Sequence, residues 1–437
     1  MNVRLSNQRK SSIPASVGTT FSIKKKSVCE VLVSKTATTP IKREEAIFHH
    51  GLQVPFVDVR HISKQAFLGN KVISLFTGAG GLDLGLEAAG FETAVCIEID
   101  ADSRATLRHN RPDWSIFEDE SNRLAGDIRS ITAQEIIQMA GLAYGEAALV
   151  VGGAPCQPFS NIGKKSGEQD QRNGDLFREF VRVVRETGAK AFLFENVTGI
   201  TQSRHLDVLN YMKQSFAGLG YGLTSIKLNA ANYGVAQCRE RFFLLGIQGV
   251  DRPAFPLPTH TKSIESWHSF IQGFDVLPDY VPKKWVSIGK ILKDLPTTVH
   301  ERDDYAVMNV SEVIIERMKL IQPGENFKVL PPHMLPNCWK TGKHQGQDTF
   351  GRLKLNEPSV TIRTAAYNPT KGKYIHPIHN RGLNTIEMAA IQSFPLDWHF
   401  KCVGRKKVTL VSAGRQIGNA VPPLLAQAIG LALKVQI

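Results

Sequence analysis

The chain has 437 residues, 42% of them hydrophobic, and carries 53 lysines and arginines against 40 acids, a formal charge of +13. That length holds one large domain and a smaller one, and the basic excess favours a polyanionic partner such as nucleic acid. No apolar run reaches the length of a bilayer span, no hydrophobic leader stands at the start, and the six scattered cysteines form no CxxC pair. A membrane location, a signal peptide, a disulfide framework and a zinc site are therefore not expected, and a reducing cytoplasm is.

Residues 1–70 are rich in Ser, Thr, Lys and Arg, include Lys24-Lys25-Lys26, and lack periodicity until Val54-Pro55-Phe56-Val57. They read as a basic, solvated N-terminal extension, with a phosphate-contacting arm as the second reading. From Lys71 onward, short apolar runs alternate with helical patterns. Residues 72–76 predict a buried strand, Thr77-Gly78-Ala79-Gly80-Gly81 a glycine-rich turn, and 82–89 a helix stopped by Gly90. A strand over 93–97, a helix over 101–109, a strand over 147–151, an amphipathic helix over 175–187 and a strand over 191–194 follow. Residues 221–228 and 241–247 predict an antiparallel hairpin at the sheet edge, joined by a short polar segment. Strands alternating with helices make a doubly wound α/β sheet. Near the end, Pro422-Pro423 suits the start of an apolar helix over 424–433.

Several residues on this framework suggest chemistry. A glycine-rich turn between a strand and its helix lets backbone approach a cofactor closely. Glu98 ends the next strand, where a carboxylate can accept from two ribose hydroxyls, and Asp127 is placed to accept from an adenine amino group. No GxxxxGK(S/T) occurs, so the ligand needs adenosine but not phosphates. S-adenosylmethionine meets that description, and NAD is the competing cofactor. Glu195 closes the strand over 191–194 at the carboxyl edge of the sheet, where open α/β sheets place their sites. Cys156 lies between Pro155 and Pro158, which hold it on a loop, although a loop cysteine is ordinarily a small core residue. In Gln237-Cys238-Arg239-Glu240-Arg241, alternate residues share one face, suited to holding an acid and a phosphate or to a solvated edge strand. His376-Pro377-Ile378-His379 reads as an ordinary loop rather than a metal pair.

Taken in order, these segments resemble the DNA (cytosine-5)-methyltransferases. The resemblance runs from Lys71 to the C-terminus on Phe-Thr-Gly-Ala-Gly-Gly at 76–81, Glu98, Gly126-Asp127, Pro155-Cys156-Gln157, Glu195-Asn196-Val197, Gln237-x-Arg239-x-Arg241 and Gly418-Asn419-Ala420-Val421-Pro422. Ala154 stands where many members have proline, and Ala390 and Ser393 stand where arginine and glycine are usual. The resemblance implies a Rossmann-like S-adenosylmethionine-dependent methyltransferase sheet over 71–260. It also implies a smaller, irregular target-recognition domain over 261–380, closed by 350–353 and 358–362, and a C-terminal segment over 381–437 that returns to the sheet.

By the same resemblance Cys156 is the nucleophile for cytosine C6, Glu195 acts at N3, and Arg239 and Arg241 help hold Glu195 and a flipped nucleotide. Phe76 packs on the adenine, Gly78, Gly80, Glu98 and Asp127 line the cofactor site, and Asn419 lies near its methionine part. The implied substrate is double-stranded DNA at a short specific site, with Lys283, Lys284 and other lysines of 261–380 at phosphates. A bacterial monomer acting beside a cognate restriction endonuclease is the implied setting. A tRNA methyltransferase on the same fold and a catalytically silent DNA-binding regulator are the rival readings.

Overall fold

The computed structural model describes residues 48–50, 54–118, 125–154, 176–274, 280–340 and 348–437. Two short strands, β1 (Phe48–His50) and β2 (Pro55–Val57), precede the main sheet. The main sheet contains β3 (Lys71–Leu75), β4 (Glu92–Ile97), β5 (Ser115–Ile116), β6 (Leu149–Gly152), β7 (Ala191–Val197), β8 (Tyr221–Asn229) and β9 (Glu240–Gln248). Their spatial order is β5-β4-β3-β6-β7-β9-β8. The first five run parallel, while β9 is antiparallel to both β7 and β8. The chain first builds outward from β3 through β4 and β5, then returns to β6 on the other side. A crevice opens at such a reversal, beyond the carboxyl ends of the strands.

The period of two along each strand divides the core. Val72, Leu149, Val151, Leu193 and Leu245 face one layer, with Leu425, Ile429 and Leu433 of the C-terminal helix Pro423–Lys434. Ile73, Val95, Val150, Phe192 and Leu244 face the other, against Phe180, Val184 and Phe216. The C-terminal helix lies backbone to backbone on the helix Gly81–Ala88. A Cβ built on Gly85 would stand 2.3 Å from the Pro423 carbonyl oxygen, so only glycine permits this approach.

Two features differ from expectation. The link between β8 and β9 is not a polar hairpin loop, because Ala230, Ala231, Val235, Ala236, Gln237 and Arg239 are all buried. The segment after Pro358 covers it, with the Cys238 amide donating to the Ser359 carbonyl at 2.8 Å and the Ser359 amide donating to Ala236 at 2.9 Å. The N-terminal extension also becomes core well before Lys71. Phe56, Val57 and Val59 are buried, and β2 pairs in parallel with a further short strand, β10 (Phe255–Pro256). The Lys24-Lys25-Lys26 run lies outside the described residues.

Between 261 and 380 the regular α/β alternation gives way to short helices and turns. Met318, Ile321, Phe327, Leu330, Phe350 and Ile375 form a small separate core there. Beside it, buried Arg352 donates to the carbonyls of Met318, Ile321, His376 and His379 and to Asn380 Oδ1. Among the described residues, no helix is long and apolar enough to cross a membrane.

Candidate active site

At the reversal point lies a cavity of about 550 Å³ bounded by the carboxyl ends of β3, β4, β6 and β7. Phe76 follows β3 with φ 53°, a left-handed conformation that is costly for a bulky side chain, and lines the wall. Gly78 (φ 59°) follows, and a Cβ built there would meet no atom within 4 Å, so its missing side chain leaves open space. The turn is fastened to the next strand by Glu98, whose carboxylate accepts the amides of Gly78 at 2.6 Å and Asp100 at 2.7 Å. Burial raises the Glu98 pKa above the ordinary carboxylate value, against the pull of these two donors. Gly126 (φ 78°) passes so close to this strand end that a Cβ would sit 2.0 Å from the Glu98 carbonyl oxygen.

Asp127 reaches the same wall and caps the turn Ile128–Ser130. Burial works to raise its pKa, but Arg129 outweighs it, donating its amide at 3.1 Å and its Nε at 2.9 Å to Oδ1, and the net direction is downward. Gly80 does not line the cavity. It caps the helix Gly81–Ala88 at φ 79° and packs on Leu107 and Trp398. Asn419, the last residue of the helix Leu410–Asn419, closes the wall from the C-terminal segment.

Glu195 stands opposite on β7. Its Oε1 lies 3.1 Å from Arg241 Nε, and Arg241 is placed there by the pairing of β7 with β9. Burial raises the Glu195 pKa, opposed by the charges of Arg241 and Arg239, and the net direction is upward. Such a carboxyl keeps its proton to higher pH than an exposed one, which suits it to donate. The chain leaving β6 runs directly past it. A Cβ on Gly153 would be 2.5 Å from Glu195 Oε2, and Asn196 Nδ2 donates to the Ala154 carbonyl at 2.9 Å. Pro155, Cys156 and Gln157 come next in the sequence, within the stretch 155–175 that lies outside the described residues.

The two motif arginines have different placements. Arg241 lines the cavity, whereas Arg239 is fully buried behind it and makes no hydrogen bond to Glu195. Arg239 donates to the Ile362 carbonyl at 3.1 Å and the Gly418 carbonyl at 2.8 Å, joining β9, the segment after Pro358 and the residue before Asn419. Burial, with the neighbouring Arg241 charge, brings its pKa down to about 9. The solvated-edge reading of this face does not apply. His376 is likewise occupied, its Nδ1 accepting the amides of Ile378 and His379.

The profile described as C-5 cytosine-specific DNA methylase matches residues 70–435. The chain belongs to this family. The Type II methyltransferase M.XorII of Xanthomonas oryzae is 32% identical over 378 residues, 82% of this chain and 83% of that protein. M.Sau96I of Staphylococcus aureus is 31% identical over 408 residues, 92% and 84% of the two chains. Among solved structures, an E. coli prophage protein described as a DNA modification methyltransferase superposes with TM-score 0.57 at 22% identity, covering 83% of this chain and 98% of that one. A Spodoptera frugiperda DNMT2 variant gives TM-score 0.54 at 14% identity, covering 83% and 99%. The latter two likenesses concern the fold.

This C5 DNA methyltransferase acts on DNA and uses S-adenosylmethionine. The cavity fits that group, with open space at Gly78, the Glu98 carboxylate in the wall, and the exposed Asn419 side. Two contributors to this wall escape sequence reasoning. Gly153 gives Glu195 room. Arg415 also lines the cavity, one helical turn before Asn419; that i, i+4 spacing is the signal that points to it.

Proposed function

We propose that this enzyme methylates C5 of a cytosine flipped out of double-stranded DNA at a short specific site, with Cys156 as nucleophile and Glu195 as proton donor. The observation that carries the reading is the buried Glu195, its pKa raised by burial, 3.1 Å from Arg241 and against the glycine three residues before Cys156. C5 of cytosine is a poor carbon nucleophile. Addition of the Cys156 thiolate to C6 forms a C–S bond and moves the ring's electron pair toward C5 and N3. Glu195 delivers a hydrogen bond or proton at N3 and so offsets the charge that this addition creates. Arg241 orients Glu195, and Arg239 fixes the backbone behind both. When bound, S-adenosylmethionine supplies an electrophilic sulfonium methyl to the activated C5. Loss of the C5 proton to a base and expulsion of the Cys156 thiolate then restore the aromatic ring.

Phe76, Gly78, Glu98, Asp127 and Asn419 are assigned to the cofactor, with Gly80 supporting the turn. The irregular region over 261–380 is assigned to target recognition, with its lysines at phosphates. Relatives named as Type II methyltransferases support a role in protecting host DNA from a cognate restriction endonuclease; a monomer in a bacterial cytoplasm is part of the same proposal.

The test is a denaturation-resistant adduct between the enzyme and 5-fluorocytosine DNA in the presence of cofactor. Fluorine at C5 cannot leave as a proton does, so the Cys156–C6 bond is trapped. Wild-type protein is expected to give the adduct and Cys156→Ala none. Absence of an adduct with wild type overturns the covalent mechanism, and methyl transfer to tRNA but not DNA overturns the substrate.

A further inference from the structure

The helix Ala101–Asn110, which follows the Glu98 strand end, carries Asp102, Thr106 and Asn110 at i, i+4 and i+8. These three side chains accept backbone amides from alternate residues of an extended stretch about 300 positions away. Val403 donates to Asp102 Oδ1 at 3.0 Å, Lys401 to Thr106 Oγ1 at 2.8 Å, and His399 to Asn110 Oδ1 at 2.8 Å. Asn110 Nδ2 also donates to the His399 carbonyl at 2.7 Å. The spacing has a simple geometric basis. Four helical residues rise about 6 Å and two extended residues about 6.6 Å, so one face of a helix can stand in for a neighbouring strand.

The ladder continues into the helix Leu410–Asn419. Ser412 Oγ donates to Asp102 Oδ2 at 2.6 Å, and Thr106 Oγ1 donates to Gln416 Oε1 at 2.6 Å. Arg415 Nη2 lies 2.8 Å from Asp100 Oδ2 and 3.0 Å from Asp102 Oδ2. Asp100 is the residue whose amide holds Glu98. Arg415 thus spans the cavity's rim, from the helix that ends in Asn419 to the strand end that presents Glu98.

We infer that Arg415 is a positioning residue for the cofactor, latching the Asn419 helix to Asp100 and Asp102 so that the two sides of the cavity keep a fixed spacing. The inference rests on the cofactor reading of this cavity. Loss of the latch leaves the ladder's other rungs in place, so the helix stays docked while its last turn gains freedom at the rim. Cofactor affinity then falls, whereas DNA affinity, carried by other parts of the chain, does not.

Calorimetric titration of S-adenosylmethionine into DNA-free full-length protein tests this. Arg415→Ala is expected to weaken binding about fivefold, the upper end for one partly exposed charged pair, and Arg415→Lys to restore part of the loss. KM for the cofactor should rise while KM for DNA stays within about twofold, a split that general destabilisation does not produce. Equal cofactor affinity in wild type and Arg415→Ala overturns the latch and leaves the methyltransferase reading intact. A parallel loss of cofactor and DNA binding, unrescued by lysine, also overturns it. Failure of wild type to bind S-adenosylmethionine at all refutes instead the cofactor assignment on which the latch rests. If Arg415→Ala does not fold, Asp102→Asn with Arg415→Lys carries the same comparison, and unchanged cofactor affinity in both overturns the latch.

Discussion

Asp83 sits on the first turn of the helix Gly81–Ala88, fully buried, with the Ser74 and Thr93 hydroxyls beside it. Burial pushes its pKa up to about 7, with the Glu87 charge adding to the rise and the Ser74 and Thr93 hydroxyls opposing it. A carboxyl whose folded pKa exceeds its unfolded value of 3.8 binds more protons when native. Its contribution is therefore most favourable below about pH 4 and is lost as pH rises toward 7. The full rise corresponds to about 4 kcal/mol, of which about 3 kcal/mol falls between pH 5 and pH 8. Asp83→Asn keeps the shape and cannot ionise. Urea unfolding of both proteins at the two pH values should show wild type losing about 3 kcal/mol more than the variant between pH 5 and 8. An unfolding free-energy difference between the two proteins that is the same at both pH values refutes the reasoning.

Glu195→Gln keeps a hydrogen-bond donor for N3 but cannot give up a proton, and methyl incorporation is expected to slow by about 10² or more with little change in cofactor affinity. Gly153→Ala places a Cβ 2.5 Å from Glu195 Oε2; the displaced carboxyl should lower kcat about tenfold or more without a comparable loss of stability, checked by single-turnover rates and melting curves. Arg352→Met strips the donors from four carbonyls around the small core at 310–375 and should destabilise that region by about 3 kcal/mol. Limited proteolysis should show early cleavage there, with site-specific DNA binding lost and S-adenosylmethionine binding retained.

The parallel strands β3, β4, β6 and β7 were readable from sequence because each is a short apolar run with glycine close by, whereas β5, two half-buried residues, was not. The predicted strand over 93–97 and helix over 101–109 differ from Glu92–Ile97 and Ala101–Asn110 by one residue. The carboxylates at strand ends were readable for the same reason, since Glu98 and Glu195 interrupt or close such runs. Other features depend on partners remote in the chain. Nothing local distinguishes Arg239 from a solvated arginine, because its burial is produced by Ile362 and Gly418, 123 and 179 residues away. The Asp102, Thr106 and Asn110 face reads as an ordinary polar helix surface until 399–403 is laid across it. Asp83 lies between Leu82 and Leu84, where period alone does not say which way a single acid points.

The product of this enzyme is a methyl group on C5 of cytosine in DNA. The most direct measurement is mass-spectrometric nucleoside analysis of duplex DNA treated with the purified enzyme and S-adenosylmethionine, paired with bisulfite sequencing of the same sample. Wild type is expected to give 5-methyl-2′-deoxycytidine confined to one short sequence, and Cys156→Ala none. Methyl on adenine or on cytosine N4, or equal 5-methylcytosine with Cys156→Ala, would contradict it.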